Sequence, residues 1–493
     1  MSRLSSARTN RRLQCLIAPA PQCLCPLCAP TRGKNRAPIF FPRFLRVSAP
    51  LRLTAALFAA LLTAHAADFR PAAYGAKADG ATLDTVALQK TIDAAAQQQG
   101  TVVIPPGTYR TGALFLKSNI EFRIEKGAVI LGSQNIADYP MMPTRVAGIE
   151  MTWPAALLNI YEQSNVKLTG EGAVDGDGKP FWDLYWKMRR DDYEPKGIRW
   201  AVDYDCRRPR LIQVYKSTGI ELKNLTLLRP GFWTVHLCYS QNVTVDGLTI
   251  RNNTQARGPS TDGIDIDSSS EITVTRCSIE CNDDAVCLKA GRDADGLRVN
   301  RATHHVTIRD NTVVAGAAGV TIGSETSGGI HDVVVDNLRV LAGAPAGILF
   351  KSASTRGGTI EHIVIRNVRM TGVATPVSVT LNWNPAYSYA KIPAGMKDYP
   401  DYWRLLTEPV PPEKGLPHFR NVRISQVTAT GAQRAFQVSS YPDAPLVDFQ
   451  FSDIDIEARA AGSIANAEQW TFTNVNLHTA DGTKLALKSP SAK

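Results

Sequence analysis

Acidic residues are missing from the first 66 positions. Ten Lys/Arg lie there, from Arg3 to Arg52, with no Asp or Glu, so this segment accounts for the whole formal charge of +10. From Ala67 onward the chain has 45 basic and 45 acidic residues. A neutral body removes the main support for a nucleic-acid partner. Long apolar runs are missing too: Leu53 to Ala64 is too short to span a membrane. That run follows Arg46 and Arg52 and ends in Ala64-His65-Ala66, the order of an export signal with its cleavage site. Residues 47–66 are therefore read as a signal peptide and 1–46 as a disordered or mis-assigned extension. Residues 67–493 are read as one domain, exported to the periplasm or the cell exterior without a stable membrane anchor. Cysteine is sparse. Four of nine precede position 29, with no later His or Cys pair to complete a metal knuckle. Five remain (Cys206, Cys238, Cys277, Cys281 and Cys287), an odd number that leaves a free thiol; Cys277 and Cys281 either bridge or stay buried and free.

Helical patterning is nearly absent. One segment qualifies, capped by Thr82 or Asp84, with Val86, Leu88, Ile92 and Ala95–Ala96 as its apolar stripe and Gly100 as its stop. The rest reads as short strands divided by Gly, Asn and Asp, and these strands recur. One ladder runs Val243/Val245, Ile272/Val274, Val306/Ile308, Val333/Val335, Ile363/Ile365 and Val422/Ile424, with first offsets of 29, 34, 27 and 30. A second runs Ile264/Ile266, Val286/Leu288, Val320/Ile322, Ile348/Phe350 and Val377/Val379, at 22, 34, 28 and 29. Two strand families sharing one period indicate a solenoid whose coils each supply several strands. Without intervening helices, βαβ units are excluded. The chain is all-β, a parallel β-helix, with the early helix expected to cap its open end.

Apolar members of the second ladder point inward, so alternate residues point outward. Asp265, Cys287, Thr321, Leu349 and Ser378 form one outward row; Asp267, Lys289, Gly323 and Lys351 form the next. Coils stack about 4.8 Å apart, which brings Thr261-Asp262-Gly263-Ile264-Asp265 beside Asp283-Asp284. Asp262 is expected to stack on Asp284, with Asp283 at the strand mouth. Crowded carboxylates raise at least one pKa, and a like-charge cluster marks a functional site. Glycosidic cleavage requires such a set, one carboxyl as acid and one as base. The competing reading is that these aspartates only bond turn amides.

The chain resembles the polygalacturonase family (family 28) of glycoside hydrolases over roughly residues 68–480. The likeness is carried by Tyr74-Gly-Ala-Lys-Ala-Asp-Gly80, Thr101 to Tyr109, Asp175-Gly-Asp-Gly-Lys-Pro-Phe-Trp182 and Phe232-Trp-Thr-Val-His236. Most specific are Thr261 to Asp265, Asp283-Asp284, Ile322-Gly323-Ser324-Glu325 and Lys351. The resemblance implies the right-handed form of the β-helix and an inverting hydrolase of pectic, galacturonosyl-containing polysaccharide. It implies no cofactor and no metal, and the chain is expected to act as a monomer. By the same resemblance Asp283 is the general acid, and Asp262 and Asp284 activate the water. Inversion implies carboxyls about 6.5–9.5 Å apart. Lys351 is expected to receive a galacturonate carboxylate or else to neutralise the Asp cluster; Asp265 is a further substrate contact, and Lys289 and Arg292 either supply replacement charge to the substrate or form a surface turn. Two departures stand out. The family's Gly-His-Gly reads Gly316-Ala317-Ala318-Gly319, and its Arg two residues before the lysine is Leu349. The losses point to an exo-acting or rhamnogalacturonan-directed enzyme.

Aromatics crowd two stretches, residues 139–205 and 381–405, and are expected either to stack on sugars or to pack their own loops. Two rival functions share the fold. A calcium-dependent pectate lyase would use the acids for metal and needs an arginine base, which the outward rows do not supply. A non-catalytic carbohydrate-binding β-helix would leave the acids idle.

Overall fold

The computed structural model describes residues 67–488 apart from Gln255; the proposed extension and signal peptide lie outside the described residues. Strands pair in parallel throughout, except for one antiparallel hairpin, Met141–Val146 with Ile149–Pro154. The chain winds as a right-handed parallel β-helix. Both ladders read from the sequence are hydrogen-bonded in the expected register. Val243 pairs with Ile272, Ile272 with Val306, Val306 with Val333 and Val333 with Ile363. In the other, Ile264 pairs with Val286, Leu288 with Ile322 and Ile348 with Val377. The physical cause is the period-two alternation. Ile, Val and Leu at every second position stack on their own kind in the next coil and fill one continuous buried core.

The predicted helix spans Thr85–Gln98. Its buried face is Leu88, Ile92 and Ala95, all part of the main core, with Ala87 and Thr91. Val86 is exposed, contrary to the expected stripe, because at about 3.6 residues per turn it lies on the opposite side of the helix from Leu88, Ile92 and Ala95. The Asp84 carboxylate accepts from the amides of Lys77 and Ala78, turned toward the preceding turn and not the helix end. The five cysteines are all free and buried, so Cys277 and Cys281 do not bridge.

Two insertions interrupt the winding beside the second ladder. One comprises the hairpin and the segment between strands Ala173–Asp175 and Ile212–Tyr215, with helices Lys179–Met188 and Val202–Asp205. The other lies between strands Thr375–Thr380 and His418–Ser439. They share a small apolar core in which Trp153, Trp200, Tyr204, Trp403 and Leu406 meet Phe232 and Trp233 of the coil. Most loop aromatics thus pack the loops. The hairpin is held to the coil by Arg145, whose Nη1 donates to Asp267 at 2.9 Å, both fully buried. Among the described residues no helix is long and apolar enough to cross a membrane.

Because each coil contributes one layer to the core, a single deletion there opens a void that neighbouring coils cannot close. Ile365→Ala, in the column between Val335 and Ile424, is expected to cost about 2–5 kcal/mol in chemical denaturation. Activity per folded molecule should be unchanged.

Candidate active site

Strands Ile264–Asp267 and Val286–Lys289 lie side by side, and their leading turns define the site. Gly263 N donates to Asp284 O and Ile264 N to Ala285 O, both at 2.9 Å, so the chain before each strand is also locked to its neighbour. Gly263 permits this approach: a Cβ there would lie 2.4 Å from Ala285 O. Asp262, Asp283 and Asp284 converge, with one oxygen of each within 4.8 Å of the others. The separation of about 6.5–9.5 Å expected for inversion is not met at closest approach. The coil spacing sets Asp262 against Asp284, and Asp283 is adjacent in the chain.

These three acids line a cavity of about 110 Å³. Lys289, Lys351 and Glu325 line it from the coils; Trp383, Asn384 and Tyr387 from the second insertion; Arg199, Asp203 and Ala147 from the first. Phe232 and Trp233 complete one wall. Of the aromatics counted in the two stretches, only Trp383 and Tyr387 reach the cavity. Lys351 Nζ donates to Asp284 Oδ2 at 2.7 Å and lies 4.5 Å from the Trp383 ring centre. Lys289 Nζ is 3.3 Å from Glu325, 3.5 Å from Asp265 and 3.8 Å from Asp262. Gly323, with φ +105°, lets the Ser324-Glu325 turn cross the Lys351 strand, since a Cβ would fall 1.9 Å from Lys351 O.

The acids differ in charge state for physical reasons. Burial would raise Asp284, but the Lys351 and Lys289 ammoniums outweigh it and hold the carboxyl below its ordinary value; Thr321 Oγ1 adds a 2.8 Å hydrogen bond. Burial and the charge of Asp284 push Asp283 up to about 6. Burial, then Asp265 and Asp283, push Asp262 well above the ordinary range. Glu325 stays ionised, because Lys289, Arg356 and Lys351 overcome its burial. With ammoniums already on two sides, the trio is better matched to one charge and shared protons than to a divalent cation. His236, Cys238 and Asp267 also converge, but Arg145 already claims Asp267.

Not every residue singled out from sequence reaches the cavity. Asp265 is fully buried behind Lys289, with no hydrogen-bond partner on either oxygen. Arg292 faces the loops. It donates to Tyr204 Oη at 2.9 Å, Tyr387 O at 2.8 Å and Asp293 at 3.1 Å, while its amide donates to Gly148 O at 3.0 Å. It fastens both insertions and does not line the cavity; it lies past the end of strand Val286–Lys289, where strand alternation gives no facing. Leu349 is buried against Ala318 and Ala346, so no arginine arises from that row. The structure instead adds Arg199 and Asp203, which the sequence reading missed because the insertion has no repeat to register them.

The family model for glycosyl hydrolases family 28 matches residues 98–397. The chain is 27% identical over 413 residues to the "Probable polygalacturonase" of Vitis vinifera, covering 82% of this chain and 76% of that one. It is 27% identical to the "Exo-poly-alpha-D-galacturonosidase" of Dickeya chrysanthemi over 450 residues, covering 82% and 69%. The crystal structure of a hyperthermoactive exopolygalacturonase from Thermotoga maritima superposes with a TM-score of 0.66 at 24% identity, covering 86% of this chain and 92% of that one, and shares the fold. A parallel β-helix with an acidic trio on one sheet face defines a carbohydrate-active solenoid. This chain belongs to glycosyl hydrolases family 28 and is a glycoside hydrolase.

Asp265 yields a stability test. Burial lifts its carboxyl from 3.8 to about 8 in the folded chain. Between those values the folded state keeps a proton that the unfolded chain has lost, so its contribution is present below the lower value and lost as pH rises through the upper. Asp265→Asn, isosteric and permanently neutral, should melt above the wild type at pH 8 and converge with it at pH 4 by differential scanning fluorimetry.

Proposed function

We propose that the chain hydrolyses α-galacturonosyl linkages of a pectic polysaccharide with inversion, from a cavity that admits chain ends. The observation that carries this reading is the convergence of Asp262, Asp283 and Asp284 in a cavity that Lys289, Lys351 and Arg199 also line. Asp283, the most exposed of the three, protonates the glycosidic oxygen as the C1–O bond breaks. Asp284, ionised in the resting site, takes the proton of the attacking water. Asp262 holds that water by hydrogen bonding and shares the proton afterwards. Lys351 keeps Asp284 charged and offers its remaining donors to an acidic sugar.

Inversion rests on the family likeness and not on carboxyl separation, which is short here. Chain-end action is supported by the walls: both insertions border the trio, and Arg292 bolts them together. It also agrees with the loss of the family's His and Arg at Ala317–Ala318 and Leu349. The Arg46 to Ala66 pattern supports export to a compartment where pectic chains are met. A lyase is disfavoured by Arg199, the arginine lining this cavity. Burial lowers its pKa, but the Asp203 carboxylate more than compensates and keeps the guanidinium protonated, which unsuits it as a base.

Digestion of homogalacturonan and rhamnogalacturonan fragments followed by NMR should show saturated products of inverted anomeric configuration. Release of short ends with little early loss of viscosity is the exo signature. An unsaturated, ultraviolet-absorbing product that chelation abolishes would overturn the hydrolase reading. Asp283→Asn should lose about 10²-fold or more in kcat/KM; full activity in that variant would remove the acid. Because Asp283 must carry its proton, kcat/KM should fall about tenfold per pH unit above 6.

A further inference from the structure

One cation at the cavity lies outside the coil pattern altogether. Arg199 sits in the first insertion, and its side chain keeps 15% exposure, where those of Lys289 and Lys351 keep 5%. A single hydrogen bond engages it, Nη1 to Asp203 Oδ2 at 2.6 Å, and its Nε is buried without a partner. The guanidinium lies 5.6 Å from the Tyr387 ring centre, between the two insertions. Asp203 is itself fixed from behind by Tyr185 Oη at 3.0 Å and Ser260 Oγ at 3.1 Å, so Arg199 is held without its fork being filled.

The charges around the cavity are matched unevenly. Lys351 is paired with Asp284, and Lys289 with Glu325, with two further carboxyls within 3.8 Å. Asp203, by contrast, stands between two guanidiniums, Arg199 at 2.6 Å and the fully buried Arg208 at 3.6 Å. That wall keeps one uncompensated positive charge, presented by the partly exposed Arg199. The row that would otherwise carry an arginine offers only Leu349, buried and apolar.

We propose that Arg199 is a specificity-determining residue, which receives the carboxylate of the galacturonosyl unit at the chain end and rejects its neutral ester. This rests on the hydrolase reading above. A planar guanidinium with unfilled donors matches a carboxylate in two parallel hydrogen bonds, a geometry that an ammonium cannot reproduce. The partial exclusion of water strengthens the charge-assisted pair.

The test uses the mature chain on oligogalacturonides with free carboxylates and on their methyl esters. Arg199→Gln should lose about 10- to 100-fold in kcat/KM on the acid substrate, chiefly through KM, and less on the ester, so the preference for the acid collapses. The alkaline limb set by Asp283 should not move, whereas a merely structural defect would lower kcat on both substrates alike. Arg199→Lys keeps the charge but not the fork and should recover part of the preference. A folded Arg199→Gln that retains the wild-type preference overturns the inference. If that variant does not fold, an unchanged preference in Arg199→Lys overturns it equally. A wild type that cleaves neither substrate overturns the hydrolase reading, and the role of Arg199 falls with it.

Discussion

Three carboxyl groups with oxygens within 4.8 Å of one another cannot all be charged, and the site is organised around that conflict. The β-helix creates it by stacking Asp262 one coil from Asp284 at a spacing that backbone hydrogen bonding fixes. The conflict is resolved unequally. Lys351 and Lys289 stabilise the charge on Asp284, while burial and neighbouring carboxylates raise Asp262 well above the ordinary range and Asp283 to about 6. Protonated and ionised carboxyls therefore coexist in one small cavity. The coil supplies the spacing, and Lys289 in the coil of Asp284 and Lys351 two coils further along supply the asymmetry.

The insertions turn an open sheet face into a cavity. They are joined to the coil both by the apolar core around Phe232 and Trp233 and by buried polar anchors. Arg145 reaches Asp267 from the hairpin, and Arg292 ties Gly148, Tyr204 and Tyr387 together. Removing one member of such a pair strands a buried charge, at a cost of about 3–5 kcal/mol. The aromatics play a corresponding part. Trp153, Trp200 and Trp403 form the joint between the loops, leaving Trp233, Trp383 and Tyr387 facing the acids.

Much of this was legible in the residues. The ladders built on Val243 and Ile264 appear in the structure with their registers intact, because inward Ile, Val and Leu must alternate and a slip of one residue would turn the core outward. The convergence of Asp262 with Asp283 and Asp284, and the approach of Lys351, follow from the same register. Arg292 lies past the end of its strand, where alternation gives no facing, and Asp265 faces outward as expected but is covered. Alternation states which side of the sheet a residue faces, and is silent on whether water or another part of the chain covers it. Arg199 left no periodic trace at all.

The sequence alone therefore determined the winding, its register and the encounter of the acids, since those depend on local alternation repeated at a near-constant interval. Only the tertiary structure decided which acid keeps its proton, which arginine serves the cavity and which serves the loops, and how closely the carboxyls approach. Those properties depend on burial and on charges contributed by segments far apart in the chain, for which no spacing rule exists.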